Sequence, residues 1–218
     1  MEKTVISKKM RRNKGVFLTL EGIDGCGKTT QARILAGNLA LRFGREVVLW
    51  TKEPGGWPGG EKIRELLLEH GMQHPLSELF LFLADRCEHI RREVEPALSS
   101  GRIVVCERYT DSTLAYQSWG RGISPEKIEE LFRWCRFPVP DLTFWIDLPP
   151  GKAYHRVSRR GGPDRMEEEG TSFLEKVREG FLFLSRREPE RIVSLDGTND
   201  IEAIAREIQR RVEVFLSP

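Results

Sequence analysis

Gly22-Ile23-Asp24-Gly25-Cys26-Gly27-Lys28-Thr29, followed by Thr30, is the stretch whose reading decides the fold. It matches G-x-x-x-x-G-K-[ST], the pattern of a phosphate-binding loop. Just before it, Val16-Phe17-Leu18-Thr19-Leu20 is a short apolar run rich in strand formers. Just after it, Ala32, Ile34, Leu35, Ala36, Leu39 and Phe43 recur at helical spacing. Strand, loop and helix in that order are the context the motif needs. Glycine tolerates backbone angles that other residues cannot, so the loop can wrap closely. Its N–H groups and the helix N-terminus then aim at anionic oxygens. In this reading the backbone of Gly22, Ile23, Asp24, Gly25, Cys26, Gly27, Lys28, Thr29 and Thr30 cradles phosphates. Lys28 reaches the β- and γ-phosphates, and the Thr29 hydroxyl holds Mg²⁺. The competing reading is a glycine-rich turn with a solvated Lys28; the flanking strand and helix weigh against it.

Further apolar runs alternate with helical patterns: Glu46–Thr51, Arg102–Cys106, Leu142–Leu148 and Arg191–Leu195. They are continuous rather than alternating, as strands covered on both faces require. Connections long enough for helices separate them, so the five strands form a parallel sheet. Ligands of such sheets bind beyond the carboxyl ends of the strands. Helices are expected over Gly60–His70, Ser77 to about Leu98, Ser124-Pro125 to about Cys135, Ser172 to about Arg187, and from Asn199-Asp200 onward. In the second of these, Leu79, Phe82, Leu83, Arg86, Ile90 and Val94 share one face. The last buries Ile201, Ile204, Ala205, Ile208, Val212 and Phe215. The breaker-rich patch Arg159-Arg160-Gly161-Gly162-Pro163-Asp164-Arg165 reads as a mobile flap between two helical patterns.

The 218 residues suffice for one substantial core, and residues 15–218 are expected to form a single domain. Net charge is +2, so the whole molecule is no electrostatic magnet for nucleic acid. Lys3, Lys8, Lys9, Arg11, Arg12 and Lys14 nevertheless crowd the first fourteen residues. Residues 1–14 are expected to be a disordered, solvated extension, with contact to nucleic acid or a membrane surface as the alternative. No apolar core follows this arm as in a secretory signal, and no run reaches the length of a membrane span. Cys26, Cys87, Cys106 and Cys135 form no C-x-x-C pair. Their scatter suggests free thiols in a reducing cytoplasm rather than a zinc site or disulfides. The Cys26 side chain is incidental to a loop that works through its backbone.

Three more stretches carry chemistry. Thr51-Lys52-Glu53-Pro54-Gly55-Gly56 follows the second strand, and Glu107-Arg108-Tyr109-Thr110-Asp111-Ser112 follows the third, leading to Ala115-Tyr116-Gln117. Phe82, Ala84, Asp85, Arg86 and His89 stand within the long helix. Together with Gly22–Thr30, these stretches resemble the thymidylate kinases of the bacterial type, from about Gly15 to the end of the chain. The resemblance implies an α/β P-loop nucleoside monophosphate kinase fold: a five-stranded parallel sheet flanked by helices, with a mobile lid over about residues 156–170. It implies phosphorylation of dTMP to dTDP with ATP and Mg²⁺, in the cytoplasm, by a homodimer whose candidate interface is the long helix. Neither nucleic acid nor membrane is an expected partner.

Residue roles follow from the same resemblance. Arg108 holds the acceptor phosphate, where a guanidinium fork suits better than a lysine; a structural pairing with Asp24 or Glu107 is its alternative. Asp24 positions Arg108 or a magnesium-bound water; its alternative is a residue that merely caps the loop. Glu107 supports Mg²⁺ through water, where the family more commonly has Asp. Phe82 stacks on the thymine and Arg86 bonds its exocyclic oxygen, four residues apart on one helix face; a core phenylalanine and a solvated or ion-paired arginine are their alternatives. Thr113, Tyr116 and Gln117 lie on the substrate side, with Tyr116 packed where a ribose 2′-hydroxyl would lie. Glu53 bonds the sugar or orders its loop, against the alternative of a solvated turn residue. The phosphate loop has no arginine between Gly22 and Gly27, and the bacterial type supplies lid arginines instead. Arg156, Arg159, Arg160 and Arg165 answer that need, with Arg159 and Arg165 acting on the transition state and Arg156 on the nucleotide. Gly161, Gly162 and Pro163 set this lid apart from close relatives. Asp196 and Gly197, in the loop after the fifth strand, lodge the adenine, against the alternative of an ordinary strand-to-helix turn. Other readings are another monophosphate or deoxynucleoside kinase, a GTPase switch, or an ATPase acting on nucleic acid. The switch lacks a guanine-reading N-K-x-D, and only the basic arm supports the last.

Overall fold

The computed structural model describes residues 14–158 and 170–217. Five strands form one parallel sheet: β1 (Val16–Glu21), β2 (Val48–Lys52), β3 (Ile103–Glu107), β4 (Leu142–Asp147) and β5 (Ile192–Asp196), in the order β2-β3-β1-β4-β5. The chain leaves β1 to one side for β2 and β3 and then crosses to β4 on the other. The topological switch point therefore falls at the carboxyl end of β1, where open α/β sheets bind ligands. Register aligns the strand ends there, with Lys52 beside Glu107, Leu20 beside Glu107 and Phe144, and Asp147 beside Asp196.

Successive strand residues face opposite sides, and each side has its own helices. Phe17, Val104 and Cys106 pack with Ile90, Val94, Ala97 and Tyr109. Val16, Leu18, Leu20, Ile103 and Val105 join the larger cluster with Leu35 and Leu39 of α1 (Lys28–Phe43) and Ile204 and Ile208 of the last helix. The expectation that every strand is covered on both faces holds for β1 and β3 and nearly all of β4. It fails at the sheet edges: β2 and β5 are half-covered, and Trp50 is 41% exposed. β2 is also shorter than expected, because Arg45–Val47 forms a 3₁₀ turn after Gly44 ends α1 at φ 101°.

The remaining helices are α2 (Gly60–Glu65), α3 (Pro75–His89), α4 (Glu95–Ser99), α5 (Thr110–Thr113), α6 (Pro125–Trp134), α7 (Pro150–Ser158), α8 (Thr171–Arg187) and α9 (Ile201–Leu216). A π-helical turn, Leu66–His70, extends α2, and another, Ile90–Val94, fuses α3 and α4 into one run. That run begins two residues before the expected Ser77, with Pro75 in the first turn and His74 Nδ1 accepting from Leu76 N. Ser124 caps α6 and Asp200 caps α9, as their positions suggest. In α9 the expected burial of Ile201 is not met: it is 50% exposed, and Ile204, Ile208, Val212 and Leu216 form the buried stripe. Ala205 and Phe215 are half-buried. The π-helical stretch Leu114–Gly120 that follows α5 was not legible as a helix. Among the described residues no helix is long and apolar enough to cross a membrane.

Candidate active site

The loop between β1 and α1 turns through positive φ at Gly22 (137°), Gly25 (76°) and Gly27 (103°), angles that favour glycine. At Gly22 a β-carbon would stand 2.7 Å from Ile146 O and 2.8 Å from Cys26 Sγ. Cys26 is therefore not incidental: its buried side chain packs under the loop. Lys28 Nζ donates to Ile23 O at 2.9 Å and lies 3.7 Å from Asp24 Oδ1. Thr29 Oγ1 donates to Glu107 Oε2 at 2.6 Å, and Trp50 Nε1 donates to Glu107 Oε1 at 3.0 Å. A hydroxyl and a carboxylate in contact at a strand end form an oxygen donor set suited to a hard divalent cation. Thr30 is half-buried in the first turn of α1.

Arg108 follows β3 directly, at φ 62°. Its backbone N donates to Leu20 O, which leaves the guanidinium over the phosphate loop. There it donates to Gly22 O (3.0 Å), Asp24 Oδ1 (2.6 Å), Ser112 Oγ (3.1 Å) and Tyr116 OH (3.5 Å). Arg108 thus pairs with Asp24 and not with Glu107. Burial pushes the Asp24 carboxyl up, but Arg108 and Lys28 outweigh it and hold the group well below the usual range. Burial pushes the Tyr116 phenol up, so it stays protonated. Beneath this assembly lies Glu21, which sequence reasoning missed. It is fully buried and accepts from Tyr109 N, Ser112 N and Ser112 Oγ. Its pKa is raised to about 7, first by burial and then by nearby Asp111. The one signal for it was a carboxylate ending an apolar strand immediately before the loop.

A cleft opens beside these residues. All six expected substrate-side residues other than Arg108 line it: Glu53, Phe82, Arg86, Thr113, Tyr116 and Gln117. Asp24, Arg108 and Ser112 line it too. Glu53 is not a solvated turn residue; it is 4% exposed and paired with Arg86. Arg86 is buried at 2% exposure and Phe82 is half-buried, so the shared face slopes into the cleft. Burial opposes the Arg86 charge, but Glu53 more than compensates. Gln117 Nε2 donates to Glu78 Oε1 at 2.8 Å, while its own oxygen is buried without a partner. Sequence reasoning missed Arg64 and Leu68 in the lining. It also missed what holds the turn after β2: Asp85 accepts from Gly55 N (3.0 Å) and Trp57 Nε1 (2.8 Å).

Across the phosphate loop, Arg156 of α7 donates to Gly25 O at 3.5 Å and to Gly197 O at 3.2 Å. It thereby ties the phosphate loop to the loop after β5. Gly197 N donates to Asp147 O at 2.7 Å. Asp196 turns onto its own loop, accepting from Thr198 N and Oγ1. Arg178, which sequence reasoning did not single out, forks onto Asp147 at 2.6 and 2.8 Å. Arg159 and Arg165, with most of the expected lid, lie outside the described residues.

A phosphate loop at the switch point of a 2-3-1-4-5 parallel sheet, with an arginine-lined cleft beside it, defines a P-loop nucleoside monophosphate kinase. Residues 20–208 match the family model described as thymidylate kinase. The chain is 42% identical over 204 residues to the thymidylate kinase of Methylococcus capsulatus, covering 93% of this chain and 97% of that one. It is 43% identical over 199 residues to that of a Synechococcus strain, covering 91% and 94%. The crystal structure of thymidylate kinase from Ehrlichia chaffeensis superposes with a TM-score of 0.77 at 35% identity, covering 92% of this chain and 99% of that one. The chain belongs to the thymidylate kinase family.

Proposed function

We propose that this protein transfers the γ-phosphoryl group of ATP to the 5′-phosphate of dTMP, giving dTDP and ADP, with Mg²⁺ as the metal. The observation that carries this reading is the cleft in which Phe82 and Arg86 stand together with Asp24 and Arg108, beside Lys28. Phe82 offers a flat face, and Arg86 keeps one buried nitrogen, Nη1, without a partner. That pairing suits a pyrimidine with an exocyclic oxygen.

In this reading Arg108 receives the acceptor phosphate and sets it in line with the γ-phosphorus. Asp24 holds Arg108 in that orientation when the site is open, which agrees with its short ion pair. Lys28 and the loop N–H groups neutralise the charge that spreads over the transferred group. Thr29, and Glu107 through water, would hold Mg²⁺, which would supply positive charge against the phosphates. Tyr116 fills the space a 2′-hydroxyl would need, and Thr113 and Gln117 complete the substrate wall. The adenine lies by Asp196-Gly197, next to Arg156. Arg159 and Arg165 neutralise charge in the transition state. Transfer forms one oxygen–phosphorus bond and breaks the β–γ bridge, so positioning and charge do most of the work.

The same reading includes one kinase domain over residues 15–218 with a solvated basic extension before it, a cytoplasmic location and a homodimer. The exposed Phe80 (54%) and Trp134 (80%) beside Leu76 and Leu131 support an interface along α3 and α6. A coupled assay tests the chemistry: ADP release is followed with ATP, Mg²⁺ and dTMP, dUMP, dCMP, dAMP, dGMP or UMP in turn. Strong preference for dTMP over dCMP and UMP is expected. Equal or better turnover of another monophosphate would overturn the roles of Phe82, Arg86 and Tyr116.

A further inference from the structure

Glu53 and Arg86 lie 33 residues apart, yet both are buried and joined. Glu53 Oε2 accepts from Arg86 Nε at 2.6 Å, and Glu53 Oε1 lies 2.8 Å from His89 Nδ1. His89 is wholly buried, and its Nε2 meets Thr51 Oγ1 at 2.7 Å. A carboxylate paired with a guanidinium only accepts, so Nδ1 carries the proton that faces Glu53. The ring is thereby fixed at both nitrogens. The turn after β2 also closes on it: a β-carbon at Gly56 would stand 2.7 Å from His89 Nε2. Arg86 is committed on its other side, where Nη2 donates to Tyr109 O at 3.0 Å. Aromatic rings of Tyr109, Phe132 and Phe137 lie 5.1, 5.8 and 5.7 Å from its guanidinium carbon. Nη1 is left without a partner.

We propose that His89 is a positioning residue for recognition of the acceptor base. Acting through Glu53, it locks the rotation of the Arg86 guanidinium so that Nη1 is kept for a pyrimidine carbonyl oxygen. His89 itself does not line the cleft. Without its N–H, Glu53 keeps one unsatisfied buried oxygen and is free to pivot, and the guanidinium pivots with it. This inference rests on the reading of Arg86 as the base contact.

The test measures kcat and the KM values for dTMP and ATP in His89→Leu, His89→Asn, Arg86→Ala and the Arg86→Ala/His89→Leu double variant. His89→Leu removes a charge-assisted buried hydrogen bond and should raise the dTMP KM about tenfold, leaving the ATP KM unchanged. His89→Asn places an amide N–H near the position of Nδ1 and should restore most of the loss. In the Arg86→Ala background, His89→Leu should add nothing, because the residue through which it acts is gone. If His89→Leu fails to fold, Thr51→Val replaces it: freeing Nε2 alone should raise the dTMP KM by a smaller factor. An unmoved dTMP KM in these variants, whatever their melting temperature, overturns the inference while an Arg86→Ala effect leaves the base contact standing. A full additional loss in the Arg86→Ala background also overturns it. If Arg86→Ala itself leaves the dTMP KM unmoved, the base contact falls and the inference with it.

Discussion

At the scale of single residues, the site is a set of charges whose partners decide what each can do. Lys28 is folded onto Ile23 O and Asp24, so its ammonium is already at the loop that phosphates would enter. Glu21 has the opposite situation, a carboxylate in the dry interior facing Asp111, Arg108, Ser112 and Tyr109. Its pKa rises from 4.5 to about 7 on folding, so the native state binds this proton more tightly than the unfolded chain. The stabilisation is complete below about pH 4.5 and is lost as pH climbs through about 7. Wild type should therefore lose melting temperature between pH 5.5 and pH 8, and Glu21→Gln should lose distinctly less. Equal losses by calorimetry would refute the assignment. Some of this scale was legible: Asp24 and Arg108 stand within motifs, and their pairing was among the alternatives read from the chain. Glu21 and the burial of Glu53 were not, since a carboxylate at the end of a strand or in a turn looks the same whether water or an arginine covers it.

Among the elements, those with a strong period were readable and one without a period was not. The helices beginning at Pro125 and Ile201 announce themselves by caps and apolar stripes. The run from Thr110 to Gly120 has neither and is nearly all buried, so it is covered on every side and shows no amphipathic pattern. What shapes it is α8, whose Gly180 lets the two backbones approach. A β-carbon there would stand 3.0 Å from Ala115 Cα and 3.0 Å from the Trp119 ring. Gly180→Val should thus push the segment carrying Tyr116 and Gln117 away from α8. Overpacking of this kind costs about 1–3 kcal/mol in urea unfolding, and the dTMP KM should rise with it. A variant as stable as wild type with an unchanged dTMP KM would show that the close approach is not needed.

Over the whole molecule, one surface stands out. Leu76 and Phe80 of α3 and Trp134 of α6 are exposed, and they border a groove shared with Leu79, Ile123 and Leu131. Large apolar groups gathered this way mark association surfaces more often than free ones. The proposed homodimer would cover them, and α3 would then carry the interface on one face and Phe82 and Arg86 on another. Phe80→Glu combined with Trp134→Ser should give a monomer by light scattering at micromolar protein. A pair variant that keeps the wild-type mass would place the interface elsewhere, or show the wild type to be monomeric already.

The chain by itself determined the phosphate loop, the alternation of strand and helix, and the class of chemistry. Those signals are local: a cradle of contiguous backbone N–H groups and apolar periods within one element need no distant partner. Tertiary structure alone decided the strand order, the half-exposed edges β2 and β5, and the company each charged group keeps. Arg86 meets Glu53 across 33 residues, and Tyr109 N meets Glu21 across 88. Such contacts depend on which helix packs on which strand end, and no spacing within a segment records that choice.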